Sequence, residues 1–203
     1  MPHPSSAIRT GQDARRRFAW ALSPAVAILM LVGLAAPAAA QFSDRYEFLK
    51  ALKEQDALKV RQKLNDGQYP NIYDGDGNTA LMIAAQNGGL PWVALLVKHE
   101  ANVDLANKSD SKTVLMYYAE RGDGDGVNFL LDRKANPNLT DSFGETALMK
   151  AVRARQFRVV KALIDAGANL DLADNSGRTA LDHARNARDR RLEKLLLDAG
   201  ASD

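Results

Sequence analysis

Short apolar segments with helical spacing alternate with polar turns along most of the chain. Leu81 and Ala85 lie on one face of a predicted short helix, and a second apolar segment follows at residues 92–97. Gly88-Gly89 and Pro91 stand between the two segments, and a glycine stop followed by a proline near the next start is typical of a helix boundary. The pattern therefore predicts a pair of short helices.

This helical pair recurs with a fixed period. A row of threonines and a row of alanines both repeat at spacings of 34, 33 and 33 residues, and each threonine is followed two positions later by a leucine. The rows are Thr79, Thr113, Thr146 and Thr179, then Ala101, Ala135, Ala168 and Ala201, with Leu81, Leu115, Leu148 and Leu181. Two rows in one register predict a solenoid, in which neighbouring units bury the apolar faces that no single unit can bury alone.

The repeated segment resembles the ankyrin repeat, a β-turn followed by two helices with a Thr-Pro-Leu-His-x-Ala signature. The matching segments are Thr79–Ala84, Thr113–Tyr118, Thr146–Ala151 and Thr179–Ala184. The resemblance implies an all-α ankyrin-repeat solenoid of stacked helix-turn-helix units with β-hairpin-like turns. The expected ankyrin-repeat domain covers residues 41–203, divided into an N-terminal capping helical pair at 41–70, repeats at 71–103, 104–137 and 138–170, and a C-terminal capping repeat at 171–203.

The chain departs from the family pattern in ways that affect local structure. No proline follows the threonines, and methionine or aspartate replaces the signature histidine, so weaker hydrogen bonding is expected at the helix starts. Each threonine is still expected to cap its helix. Leu148 is predicted to belong to the buried leucine row, whereas Lys150 is predicted to be solvent-accessible, so that its truncation costs little stability.

The first forty residues have the layout of a secretory signal peptide. The basic run Arg15-Arg16-Arg17 precedes the apolar residues 25–36, and Ala38 and Ala40 frame a cleavage site before Gln41. The general secretory and twin-arginine routes both remain open. Cleavage would leave 23 basic and 24 acidic residues, which gives no reason to expect nucleic acid as a partner. The expected location is periplasmic or secreted, without membrane contact after cleavage.

An uncleaved membrane anchor is the alternative interpretation of this segment. Residues 18–36 could nearly span a bilayer, but Ser23 and Pro24 interrupt them and the uninterrupted apolar run is short. Cleavage is therefore the favoured prediction, and a membrane-anchored envelope scaffold is the second.

Candidate catalytic and metal-binding patterns are incomplete. The chain has no cysteine, which removes thiol chemistry and cysteine-bound zinc. His99 and His183 lie far apart and are expected to be surface or packing residues. Residues 74–78 begin like a calcium loop but lack the glycine at position 6 and the glutamate at position 12, and residues 123–126 likewise lack further ligands. We therefore predict no catalytic site, cofactor or metal, and an enzyme or calcium-dependent module is the less favoured alternative.

Protein binding is the function that the resemblance implies. In this family the hairpin tips and the exposed face of the first helices form a concave surface that binds other proteins, so a monomeric, non-catalytic interaction module of the cell envelope is expected. Phe143 is an aromatic residue in a turn, and Tyr118 could either contact a partner or fill space between repeats. The predicted binding residues are Tyr73, Asp76, Asn78, Gln86, Asn87, Asp110, Lys112, Tyr117, Tyr118, Glu120, Arg121, Phe143, Glu145, Arg153, Asn175 and Arg178.

Overall fold

A computed structural model describes residues 43–202, and the predicted signal peptide and its cleavage site lie outside the described residues. Ten helices are present in the described part. They are α1 (residues 43–53), α2 (Ala57–Asn65), α3 (Ala80–Asn87), α4 (Leu90–Lys98), α5 (Val114–Arg121), α6 (Gly124–Asp132), α7 (Ala147–Arg153), α8 (Phe157–Asp165), α9 (Ala180–Asn186) and α10 (Arg190–Asp198).

The helices form five consecutive pairs that stack as a solenoid. Within a pair the helices pack together, as α7 does on α8, and between pairs the first helices contact one another, as α5 does with α7 and α7 with α9. The only β pairing in residues 43–202 is an isolated antiparallel bridge between Tyr73 and Thr79. The predicted all-α repeat solenoid is confirmed.

The threonine row starts the first helix of each of the last four pairs. The hydroxyl of Thr79 accepts the backbone N–H of Met82 at 3.0 Å, and the other three threonines make the same bond at 3.3 Å. Thr179 also forms a reciprocal capping box with Asp182. Loss of the signature histidine has therefore not removed the threonine cap, which typically contributes about 1 kcal/mol to helix stability.

The core is continuous because every pair contributes its apolar face to it. Leu81, Leu115, Leu148 and Leu181 are at most 2% exposed, and the methionines that replace the signature histidine are equally buried. The C-terminal helix α10 instead shows an outer face rich in charged residues, as a terminal repeat requires. No helix among residues 43–202 is long and apolar enough to cross a membrane.

A second row of side chains ties each connecting loop to the next. The Asn71 side chain accepts the backbone N–H of Asn102 at 2.7 Å. The equivalent side chains one, two and three repeats later each accept a backbone N–H of the next loop in the same way. These later bonds are Asp104 to Asn136, Asn138 to Asn169 and Asp171 to Ser202, at 2.7–2.9 Å. The row gives these exposed backbone donors a partner within the protein, and it holds the loops in register.

Several residues other than glycine lie at positions where the backbone is left-handed. Arg155 and Arg188 follow first helices with φ of 56° and 52°, and Glu100 and Lys134 follow second helices with φ of 67° and 64°. Left-handed backbone costs a non-glycine residue about 1–2 kcal/mol. The stack therefore imposes left-handed backbone on side chains that disfavour it.

Candidate functional site

An aspartate at the start of the turn organises three of the four hairpin tips. The Oδ1 atom of Asp141 accepts the backbone N–H groups of Phe143 and Glu145, both at 2.9 Å. Asp74 and Asp174 make the same pair of bonds in their own turns. The turn containing Asn107 is one residue longer and places Ser111 in left-handed backbone instead of a glycine. The tips are thus fixed locally by short polar side chains.

Neighbouring tips are also bonded to each other. The backbone N–H of Lys108 donates to the carbonyl of Gly77 at 2.9 Å, that of Ser142 to Asp110 at 2.9 Å, and that of Asn175 to Phe143 at 3.0 Å. This chain of bonds runs across the whole row of tips. Side chains on the tips therefore project from a backbone that is bonded both within and between repeats.

The last three tips and the adjoining first helices enclose an open groove of about 550 Å³, which we call the turn groove. Half of the predicted binding residues line it. They are Asp110, Lys112, Glu120, Phe143, Glu145, Arg153, Asn175 and Arg178. Sequence reasoning missed five further lining residues, Asp141, Lys150, Asp174, Ser176 and His183. Two of them could have been found from the repeat register, because Lys150 and His183 each lie four residues after a threonine of the repeated row.

Lys150 forms the centre of a buried ion cluster on the floor of the turn groove. Its Nζ atom lies 2.6 Å from Asp141 Oδ2 and 2.9 Å from Glu145 Oε2, and all three side chains are less than a tenth exposed. The predicted solvent-accessible position of Lys150 is wrong, because two carboxylates from its own turn hold the ammonium under the tip. Glu145 also pairs with the guanidinium of Arg153, which is mostly exposed.

The pKa values of Glu145 and Lys150 are shifted toward the charged forms. Burial alone raises the pKa of Glu145, but hydrogen bonds and charge from Lys150 and Arg153 outweigh it and leave the pKa below its usual value. Burial alone lowers the pKa of Lys150, but the hydrogen bonds that its ammonium donates to Asp141 and Glu145 reverse this and raise the pKa. Glu145 and Lys150 therefore both stay ionised at neutral pH.

Another buried carboxylate, that of Asp174, lies in the last turn. Oδ2 of Asp174 is 3.0 Å from His183 Nε2, 3.0 Å from Arg178 Nε and 2.9 Å from another guanidinium nitrogen of Arg178. Burial alone raises the pKa of Asp174, but the backbone N–H and side chain of Arg178 and the backbone N–H of Ser176 hold it well below its usual range. His183 is thus a buried partner of an aspartate, in line with its predicted packing role.

One set of side chains has the composition of a metal site. Ligand atoms of Glu145, Asp174 and His183 all lie within 4.8 Å of one another. However, Lys150, Arg153 and Arg178 already occupy the two carboxylates. A divalent cation would enter beside three positive side chains, so the arrangement favours the observed ion pairs.

The acidic segments that begin like calcium loops have other roles. One oxygen of Asp74 accepts two backbone N–H groups and the other lies 2.9 Å from Lys53 Nζ. Asp123 caps α6 by accepting the backbone N–H of Gly126 at 2.9 Å. Both aspartates thus stabilise local structure.

Two predicted contact residues are buried. Tyr118 is 2% exposed, and its ring fills the space beside Gly126, where a Cβ atom would lie 2.6 Å from the ring. This burial contradicts its predicted contact with a partner, and the ring fills space beside the paired helix of its own repeat, whereas the alternative prediction placed it between repeats. Glu145, at 4% exposed, is committed to Lys150 and Arg153.

The remaining predicted residues lie at or near the surface outside the turn groove. Tyr117 is half-buried beneath the guanidinium of Arg121, 5.4 Å from the ring centre, and Tyr73 is half-buried beneath Lys108. Asp76, Gln86 and Asn87 are exposed, and Asn78 is half-buried. Phe143, which lines the turn groove, is 66% exposed on its tip.

Comparison with known proteins places the fold in a family. The profile described as ankyrin repeats in three copies matches residues 38–141 and 115–203. The mouse ankyrin repeat and SAM domain-containing protein 6 is 38% identical over 82 residues, which is 40% of this chain and 9% of that protein. The rat protein of the same name is 35% identical over 104 residues, covering 51% of this chain and 12% of the relative.

A probable serine/threonine-protein kinase of Dictyostelium discoideum is 28% identical over 117 residues, which is 55% of this chain and 12% of the kinase. This match lies in the repeat region. The chain therefore spans only about a tenth of the length of these relatives.

Proposed function

This chain belongs to the ankyrin-repeat family, and we propose that it is a non-catalytic module of the cell envelope that binds a protein partner through its hairpin tips and first-helix face. Repeats of this family generally mediate protein interactions and are generally non-catalytic. Beyond this general property of the family, we propose an envelope location, a monomeric state and a particular face used for binding.

The exposure of Phe143 is the observation that carries the proposal. Its ring is 66% exposed in a turn that needs only an aspartate, a glycine and a threonine for its own geometry. Aromatic side chains dominate the energetics of many protein interfaces. Because the tip is bonded to its neighbours, little further ordering is needed on binding.

Capture of a partner by exported protein carrying a C-terminal tag tests the binding face. We expect Phe143→Ala to weaken capture from the envelope fraction by about tenfold, equivalent to roughly 1.4 kcal/mol. The matched control is Tyr69→Ala, which removes an aromatic ring of similar exposure, 61%, from the loop after α2. Loss of capture in the control with full capture by the Phe143 variant would place binding on another face.

The envelope location rests on the signal-peptide pattern of residues 1–40. We expect the intact mass of the exported protein to correspond to a chain that begins at Gln41. A membrane-bound species that retains residues 1–40 would instead support the anchored scaffold. Protein recovered only from the cytoplasm would overturn both export proposals.

A further inference from the structure

Charge is distributed unequally with depth in the C-terminal half of the turn groove. The side chains of Asp141, Glu145 and Asp174 are only 2–6% exposed. The side chains of Arg153 and Arg178, which pair with two of these acids, are 56% and 47% exposed. The negative charge therefore lies under the floor, and guanidinium groups face the solvent.

Each of the two arginines retains hydrogen-bonding capacity. Arg153 uses one terminal nitrogen on Glu145, and Arg178 uses Nε and one terminal nitrogen on Asp174. A guanidinium has five N–H donors, so both have donors left for a second acceptor. Their carboxylate partners fix the side chains in place, which lowers the conformational cost of recruiting that acceptor.

The other end of the turn groove has the opposite arrangement. There Glu120 is 51% exposed and its partner Lys112 only 20%, so a carboxylate faces outward. Phe143 lies on the tip of the third turn in the same groove wall. The surface thus offers guanidinium groups at one end, a carboxylate at the other and an exposed aromatic ring.

We propose that the turn groove binds an extended peptide segment of the partner, with a carboxylate side chain at Arg153 and Arg178 and an apolar side chain on Phe143. A basic residue of the segment, toward Glu120, would orient it. This inference rests on the proposed protein-binding function and specifies the chemistry of the segment. Arginine forks match the planar carboxylate, and charge-assisted bonds of this kind are the stronger hydrogen bonds in proteins.

Selection from a random peptide library displayed on phage, with the exported protein as bait, tests this chemistry without a known partner. We expect the selected peptides to be enriched in Asp or Glu adjacent to an apolar residue. Substitution of both arginines, Arg153→Gln with Arg178→Gln, should weaken the best selected peptide at least tenfold and remove the acidic preference. The Gln variant should fold, because Glu145 keeps Lys150 and Asp174 keeps His183.

Two further variants separate charge from fold. Arg153→Lys with Arg178→Lys keeps the two positive charges but loses the planar guanidinium groups. This double variant should retain part of the affinity for the selected peptide. Arg158→Gln with Lys161→Gln, on the exposed side of α8, should leave selection unchanged. Thermal melting of each variant identifies any that does not fold. If the Gln double variant does not fold, the Lys double variant is compared with the unsubstituted protein instead.

The outcomes distinguish this inference from the proposed function. Selected peptides without an acidic preference would overturn the carboxylate site and leave protein binding standing. An acidic preference that remains intact in both the Gln and the Lys double variants would do the same. Failure to enrich any peptide would also overturn it, while the Phe143 capture experiment still judges the proposed function. Tighter binding of single-stranded DNA than of the best peptide would reassign the groove to polyanions.

Discussion

Replacement of Lys150 by methionine tests the buried ion cluster beneath the third tip. The ammonium lies 2.6 Å from Asp141 and 2.9 Å from Glu145, with its side chain 8% exposed. Methionine keeps much of the apolar stem but leaves two buried carboxylates without this cation. Glu145 retains Arg153, and Asp141 retains the backbone N–H groups of its turn.

The expected loss of stability is about 3 kcal/mol. Removing one partner of a buried ion pair typically costs roughly 3–5 kcal/mol, and the retained contacts of both carboxylates place this site at the lower end. For a domain of this size, about 2–4 °C of Tm correspond to 1 kcal/mol. We therefore expect Lys150→Met to lower Tm by roughly 6–12 °C.

The pH dependence gives the loss a signature that a packing defect would lack. The pKa of Glu145 is lowered in the folded protein, so its contribution is present above about pH 4.5 and is lost as pH falls through the folded value. The pKa of Lys150 is raised, so its contribution is present below about pH 10.5 and is lost above that. In the variant, protonation of Glu145 relieves buried negative charge, so the stability difference should shrink as the pH falls from 7 to 4.

Urea unfolding of both proteins at pH 7 and pH 4, followed by circular dichroism, measures the difference. The matched control is Lys161→Met, because Lys161 pairs with Asp165 on the exposed side of α8, and this variant should change stability by no more than about 0.5 kcal/mol. A Lys150→Met loss below 1 kcal/mol, or one that is the same at both pH values, would refute the buried cluster.

Three further tests concern other features of the stack. Tyr118→Phe removes a buried hydroxyl without a hydrogen-bond partner and should raise the free energy of unfolding in urea by about 1 kcal/mol. The control Tyr117→Phe should change it little. A loss of stability in Tyr118→Phe would contradict this. Lys134→Gly should raise Tm because it relieves the strain of a non-glycine residue in left-handed backbone. Gly167→Ala, at the same repeat position, should lower Tm. Changes in Tm of the opposite signs would argue against imposed backbone strain. Leu148→Ala should cost about 2–5 kcal/mol by denaturant unfolding, and a loss below 1 kcal/mol would show that this leucine is not in the core.

The fold was accessible from the sequence because its information is periodic. Rows such as Thr113 and Leu115 recur in one register, and each repeat makes the same local contacts, so a cap or a buried position in one unit predicts the others. The exposed tip position of Phe143 followed from the same register. The Asn71 row was equally periodic, and its spacing could have revealed the inter-repeat bonds.

The turn groove was predictable only in part because its side chains break the repeat. Lys150 and His183 occupy the register position of Ile83 and Tyr117, and the repeat pattern does not indicate that acids from the preceding turn will bury them. Tyr118 shows the same limit, since its burial depends on the space left beside Gly126 in the paired helix.

The sequence by itself determined the repeat, its helix pairs, their caps and the row of tips, since these depend on contacts within about 34 residues that recur with the period. Only the tertiary structure decided which charges are buried and which face the solvent. Burial of Lys150 with Asp141 and Glu145, and exposure of Arg153, depend on how a turn folds over its own helix and against the next repeat. Charge pairing varies steeply with distance and dielectric environment, and neither quantity is periodic in a sequence.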